Sequence, residues 1–239
     1  SPVQGFVDGV GPGSFVARSA AGATGVAAIG SNAGFIGGGQ IGYNMQFAPA
    51  WVAGLEADIQ GVANNKHQGT INTFSPPSGV GTFGVDTINT RITSSRQLDY
   101  LGTVRGRLGY LWAPTFLMYG TGGFAYGGVK ASTSIGQLNN DCVNFPAACI
   151  VSAAGTTGGV SKTRTGWTAG GGLEWMFQQR WSAKVEYLYY DLGHVTYSDG
   201  ALVTTNGTFP GAAGPAVVAA NSAAKFTGNI VRVGVNYHF

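Results

Sequence analysis

From Val231 to the end of the chain, apolar and polar residues alternate without a break. Val231, Val233, Val235, Tyr237 and Phe239 hold the odd positions, and Arg232, Gly234, Asn236 and His238 the even ones. Neighbouring side chains of a strand point to opposite faces, so this stretch predicts a strand with one apolar and one polar face. The same period returns in three hairpins. Residues 33–47 and 51–62 flank a turn at Ala48-Pro49-Ala50. On the second arm Trp51, Ala53, Leu55, Ala57 and Ile59 share one face, and Val52, Gly54, Glu56, Asp58 and Gln60 the other. Residues 97–112 and 115–130 flank Ala113-Pro114, and residues 164–177 and 180–197 flank Gln178-Gln179. Residues 225–239 make a seventh strand, and residues 3–10 supply an eighth. The stretches 63–96, 131–163 and 198–224, rich in Gly, Ser, Thr, Asn and Pro, read as long loops. Short and long connections alternate, so the tight turns and both termini gather at one end.

Composition narrows the class. Charged residues are 10% of the 239, against about 25% in ordinary soluble domains, and 41 residues are glycine. No segment approaches the roughly 20 apolar residues of a membrane helix. Low charge spread over alternating strands predicts one all-β domain over residues 1–239: an eight-stranded antiparallel transmembrane β-barrel with short periplasmic turns and long extracellular loops. Such a barrel belongs in the bacterial outer membrane. The net charge of +3 is scattered and predicts no nucleic-acid partner. No secretory signal peptide is visible, and the chain begins at Ser1 as a processed exported protein would.

Aromatic residues mark the same end as the tight turns. Trp51, Trp112, Trp175, Trp181, Tyr237 and Phe239 lie beside turns or at the matching end of the last strand, where a barrel carries its interfacial girdle. A β-sandwich core would not gather its aromatics beside turns. Trp167, Phe124 and Tyr189 form a looser girdle at the opposite end.

The inward faces define the candidate chemistry. Strand parity places Glu56, Asp58, Asp99, Arg105, Arg107, Glu174, Lys184, Glu186 and Arg232 in the lumen. Eight strands enclose a space that side chains can fill, and buried charges there must be paired. Arg105, Arg107 and Arg232 are expected to match Glu56, Glu174 and Glu186, plugging the barrel. The same residues could instead form a charged constriction in a narrow channel for small solutes. Inward glycines such as Gly54, Gly109, Gly170, Gly172 and Gly234 leave room for long side chains. The outward glycines Gly102, Gly106 and Gly171 would let barrels approach closely, as homo-oligomers.

Cys142 and Cys149 stand seven apart around Asn144-Phe145-Pro146. An even count in an exported chain favours a disulfide, with free thiols or metal ligands the alternatives. His67, His194 and His238 show no metal-ligand spacing and read as solvated surface or rim residues. A joint haem or metal site of His67 and His194 at the outer end is a second reading. No cofactor is called for. Neither a nucleophile elbow nor a catalytic carboxylate pair is present, so the chain reads as a non-enzyme.

The run Gly166-Trp167-Thr168-Ala169-Gly170-Gly171-Gly172-Leu173-Glu174, the run Lys184 to Gly193, Arg105-Gly106-Arg107-Leu108-Gly109-Tyr110 and the ending Arg232 to Phe239 resemble one family. It is the porin-family small outer-membrane β-barrels of alphaproteobacteria, surface-antigen barrels with the fold of the OmpA transmembrane domain. That resemblance implies an abundant envelope protein serving integrity, host contact or, in some members, haem binding. Outer-membrane lipids and lipopolysaccharide are the implied surroundings. Gly234, Tyr237 and Phe239 correspond to the closing-strand signal read by the barrel assembly machinery. The family's Trp-containing first strand has no counterpart in residues 1–32.

Overall fold

The structure, a computed structural model, describes residues 2–9, 25–26, 35–63, 66–78, 85–144, 147–204 and 216–238. Ten strands are described: β1 (Pro2–Gly9), β2 (Gly25–Val26), β3 (Phe35–Ala48), β4 (Trp51–Ala63), β5 (His67–Ser78), β6 (Val85–Ala113), β7 (Phe116–Asn144), β8 (Ala147–Gln178), β9 (Trp181–Thr204) and β10 (Ala216–Tyr237). They form one antiparallel sheet in the order β2-β1-β10-β9-β8-β7-β6-β4-β3, with β5 paired to β6. Eight of them are the strands of the barrel; β2 and β5 are additions at its long-hairpin end. The tight turns fall where the sequence predicts, between β3 and β4, β6 and β7, and β8 and β9.

Leu55, Val104, Leu173 and Val233 are 51% to 76% exposed on the outer wall, so no second protein layer covers them. That face is apolar because its solvent is hydrocarbon. The strands also run far beyond their expected ends. Most of the stretches read as loops continue β6 to β10 as long hairpins. Their Thr and Ser content resembles a loop, but the pattern there is inverted. Ile88, Ile92, Ile135, Leu202 and Ala220 are buried inward, while Ser95, Arg91 and Ser132 face out. Past the membrane the outward face meets water, so the apolar residues turn inside.

Bulges mark this change of surroundings. On β6, Leu98 pairs with Val129 and Tyr100 with Gly128, leaving Asp99 out of the ladder. Below it the inward residues are Leu101, Thr103, Arg105 and Arg107; above it they are Leu98, Ser94 and Ile92. β9 carries extra residues opposite Lys225/Thr227 and opposite Ala220/Asn221. Gly193 and Gly200 sit in them with φ of 75° and 81°, backbone that favours glycine.

The first strand lies on the outer half of β10, from Val3 opposite Ser222 to Gly9 opposite Ala216. Along the membrane-crossing half, β3 and β10 face each other without a ladder. Gln40 Nε2 donates to Asn236 Oδ1 across this seam at 2.8 Å. A cavity of about 550 Å³ opens there toward Glu56, Asp58, Lys184 and Arg232.

Candidate functional site

Cross-strand register brings the inward charges together. Glu56 lies opposite Arg105 on the β4–β6 ladder. Glu174 stands opposite Lys184, and Glu186 opposite Arg232. Arg105, 1% exposed, collects three carboxylates. Its Nη1 donates to Glu186 Oε1 at 2.9 Å, and its Nη2 to Asp58 Oδ2 at 2.8 Å and Glu56 Oε2 at 3.1 Å. Arg107 Nη1 donates to Glu56 Oε1 at 2.9 Å, and its Nη2 to Glu174. Arg232 reaches Asp58 Oδ2 at 3.2 Å and also bonds Glu186. Lys184 Nζ stands 3.9 Å from both Glu56 and Glu186. Four carboxylates thus meet four cations, and the cluster is neutral as a whole.

Uncharged partners complete it. Thr103 Oγ1 donates to Asp58 Oδ2 at 2.7 Å, Gln60 Nε2 to Asp58 Oδ1 at 2.9 Å, and Asn236 Nδ2 to Glu174 Oε1 at 2.9 Å. Ser182 also donates to Glu174. The Arg107 guanidinium lies 3.6 Å from the ring centre of Tyr119. Gly172 makes that possible, since a Cβ there would stand 2.7 Å from the Tyr119 hydroxyl. Sequence reasoning missed Tyr119, because both faces of β7 are apolar or glycine; no signal separated them. His238, read as a rim residue, is drawn inward: its Nε2 is 2.9 Å from Ser182 Oγ and 3.6 Å from Glu174.

Asp99 stands apart. As the bulged residue of β6 it pairs with Lys130 Nζ at 2.8 Å on the half-exposed wall, and it makes no contact with the eight-residue cluster. Parity counted straight through a bulge puts every later residue on the wrong face.

Above the charges lies an apolar layer of Leu98, Leu101, Ala125, Val129, Leu188 and Leu192, continued by Val195, Phe226 and Ile230. Higher still, Tyr197 hydroxyl meets Thr133 Oγ1 at 2.7 Å, and Ser222 Oγ donates to Asp199 Oδ2 at 2.6 Å. Burial in this outer hairpin region raises the Asp199 carboxyl above its usual range, and the Ser222 hydrogen bond pulls it partly back.

The aromatic residues stand in contact around the tight-turn end. Trp51 packs on Tyr110 at 5.3 Å, Trp112 on Phe116 at 6.2 Å, Phe116 on Trp175 at 6.1 Å and Trp181 on Tyr237 at 5.1 Å. Trp167 and Tyr189 meet at 5.3 Å at the other end. Phe239 lies outside the described residues. Gly234 faces inward beside the Lys184 stem, and Tyr237 faces out. Of the outward glycines, Gly102 lies under the Tyr126 ring. Cys142 and Cys149 are backbone partners on the β7–β8 hairpin, with their side chains outside the described residues. His194 is exposed, and His67 pairs along the backbone with Arg96. No group of three metal-ligating side chains occurs among the described residues.

Comparison with known proteins agrees with this architecture. The family described as "Outer membrane protein beta-barrel domain" matches residues 9–239. The chain is 32% identical over 206 residues to the 31 kDa outer-membrane immunogenic proteins of Brucella melitensis biotype 1 and Brucella suis biovar 1, covering 86% of this chain and 67% of each relative. It is 31% identical over 143 residues to the 22 kDa outer membrane protein of Rhizobium leguminosarum bv. viciae, covering 57% of this chain and 56% of that one. No solved structure matches. An apolar outer wall, two aromatic girdles and these relatives place the protein in the bacterial outer membrane, and the chain belongs to the outer membrane protein β-barrel domain family.

Proposed function

We propose that the protein is a non-enzymatic structural and surface-interaction barrel of the Gram-negative envelope, its lumen filled by side chains and its long hairpins turned toward partners outside. The observation that carries this reading is the stacking of two plugs. Eight mutually paired charges fill the middle of the barrel, and a buried apolar layer lies directly above them. A water path through both would have to break ion pairs that hold one another. The rival reading is a narrow channel, favoured by the cavity at the β3–β10 seam, which reaches the same charges from the side. Planar-bilayer recording of the purified protein separates the two. The expected result is a silent membrane or brief, small events; a large, steady open current would establish the channel instead.

Two further parts of the reading can be tested alone. Antiparallel partners such as Cys142 and Cys149 have Cα atoms about 4.5–5.5 Å apart, within the range a disulfide spans. A bridge there would pin the tip of the β7–β8 hairpin, and intact mass should rise by about two hydrogens on reduction. An unchanged mass would leave two thiols. Gly106 and Gly122, paired across β6 and β7, leave a flat patch on the exposed wall where a second copy could pack. Sedimentation in detergent should then show oligomers, and monomer alone would remove them from the account.

A further inference from the structure

The outward face of β6, β7 and β8 carries a polar groove six residues beyond the outer aromatic girdle, on its hydrated side. Cross-strand rows build it: Ser95 lies opposite Ser132, Gln97 opposite Lys130, and Lys130 opposite Ser161. Lys66, at the start of the β5 arm, comes over from the side, and together these six line a space of about 420 Å³. Ser95 and Ser132 share a hydrogen bond at 2.8 Å, so the floor is an ordered hydroxyl pair. Lys130 is held by Asp99 at 2.8 Å yet remains 53% exposed. Exposed Lys66 and Lys130 put two ammonium groups against that single carboxylate, so the groove is net positive.

Its height selects the ligand. Phe124 and Trp167 are cross-strand partners in the girdle, and Lys130 and Ser161 stand six residues further along the same two strands. Six residues of tilted strand raise the groove about 15 Å above those rings, beyond the acyl chains, and lysine stems can lean back toward the girdle. Between the aromatic ring and this groove the wall changes from hydrocarbon-facing to hydrated. A site made of lysine ammonium groups and serine hydroxyls at that level suits a phosphorylated sugar, the ammonium groups meeting phosphate and the hydroxyls and amide meeting sugar oxygens.

We infer that the groove between Lys66 and Lys130 binds the phosphorylated glycolipid headgroup of the outer leaflet. The inference rests on the barrel standing in the outer membrane and not on its lumen being closed, so the conductance and binding experiments fail separately.

The test uses the full chain folded in zwitterionic detergent, titrated with purified lipopolysaccharide, with the same preparation after dephosphorylation, and with inorganic phosphate. Lipopolysaccharide should bind at least about tenfold more weakly to the Lys66→Gln, Lys130→Gln double variant, and dephosphorylated material should bind the wild type no better than that. The charge-retaining Lys66→Arg, Lys130→Arg variant should recover most of the loss. Ser132→Phe, which fills the floor while keeping both lysines, should weaken binding on a chain whose gel mobility still shifts on heating. Equal binding of phosphorylated and dephosphorylated lipid, unchanged binding by both the double Gln and the Phe variants, or inorganic phosphate bound as tightly as the lipid would each overturn it.

Discussion

Replacing Arg105 with alanine is expected to cost the barrel about 3–5 kcal/mol, the range for removing one partner of a buried ion pair. Among the described residues Arg105 is the only cation in contact with Glu56, Asp58 and Glu186 together, and its guanidinium is almost wholly buried. Without it three carboxylates would stand together with Arg107, Lys184 and Arg232 left to balance them, and Lys184 Nζ is still 3.9 Å from the nearest two. Urea unfolding of protein in lipid vesicles, followed by the loss of the compact, heat-sensitive gel band, should show a much lower midpoint. Asp99→Asn provides the contrast. It removes the Lys130 pair on the half-exposed wall, where such a pair is worth about 0–1 kcal/mol, and should barely move the midpoint. Equal effects of the two substitutions would mean that the cluster carries no special share of the stability.

A second large effect is expected on the outer wall. Leu173 is five residues from the β8 end at Gln178 and 57% exposed, near the middle of the membrane-crossing span. Leu173→Arg puts a charge into hydrocarbon, at about 2–4 kcal/mol for a midplane position in a barrel. Val151 on the same strand is still more exposed, at 68%, but lies in the outer hairpin region. Val151→Arg should therefore be nearly neutral. Refolding yield into vesicles and urea midpoints both read this contrast. A neutral Leu173→Arg would contradict a hydrocarbon-facing wall at that position.

Much of the wall was legible because its period of two is strict where lipid touches it. β4, β6, β8, β9 and β10 show apolar residues such as Leu55, Leu173 and Val233 on one face, and charges on the other. Parity places Glu56, Arg105, Glu186 and Arg232 on one face, and the tight turn between β8 and β9 sets Glu174 opposite Lys184. The Glu56–Arg105 and Glu186–Arg232 pairs join strands separated by long connections, whose register only the folded sheet supplies. What escaped was whatever depends on a change of phase or of solvent. The Asp99 bulge shifts one strand by a residue with no mark in composition. The outer hairpins read as loops because Thr, Ser and Gly are common in both, and because their apolar side faces in while that of the wall faces out. Tyr119 escaped for a third reason: with glycine on both faces of β7, the sequence offers no contrast to read. The apolar layer over the charges is assembled from four strands, β6, β7, β9 and β10, and no single stretch announces it.

The bulges at Asp99, Gly193 and Gly200 also separate the two halves of these strands mechanically. An extra residue that absorbs a phase change can absorb a length change as well. Insertions or deletions in the distal hairpins can be taken up at these joints, and the wall beneath keeps its alignment. Variation in what the cell displays is thereby uncoupled from the parts that must stay in step for the cylinder to hold.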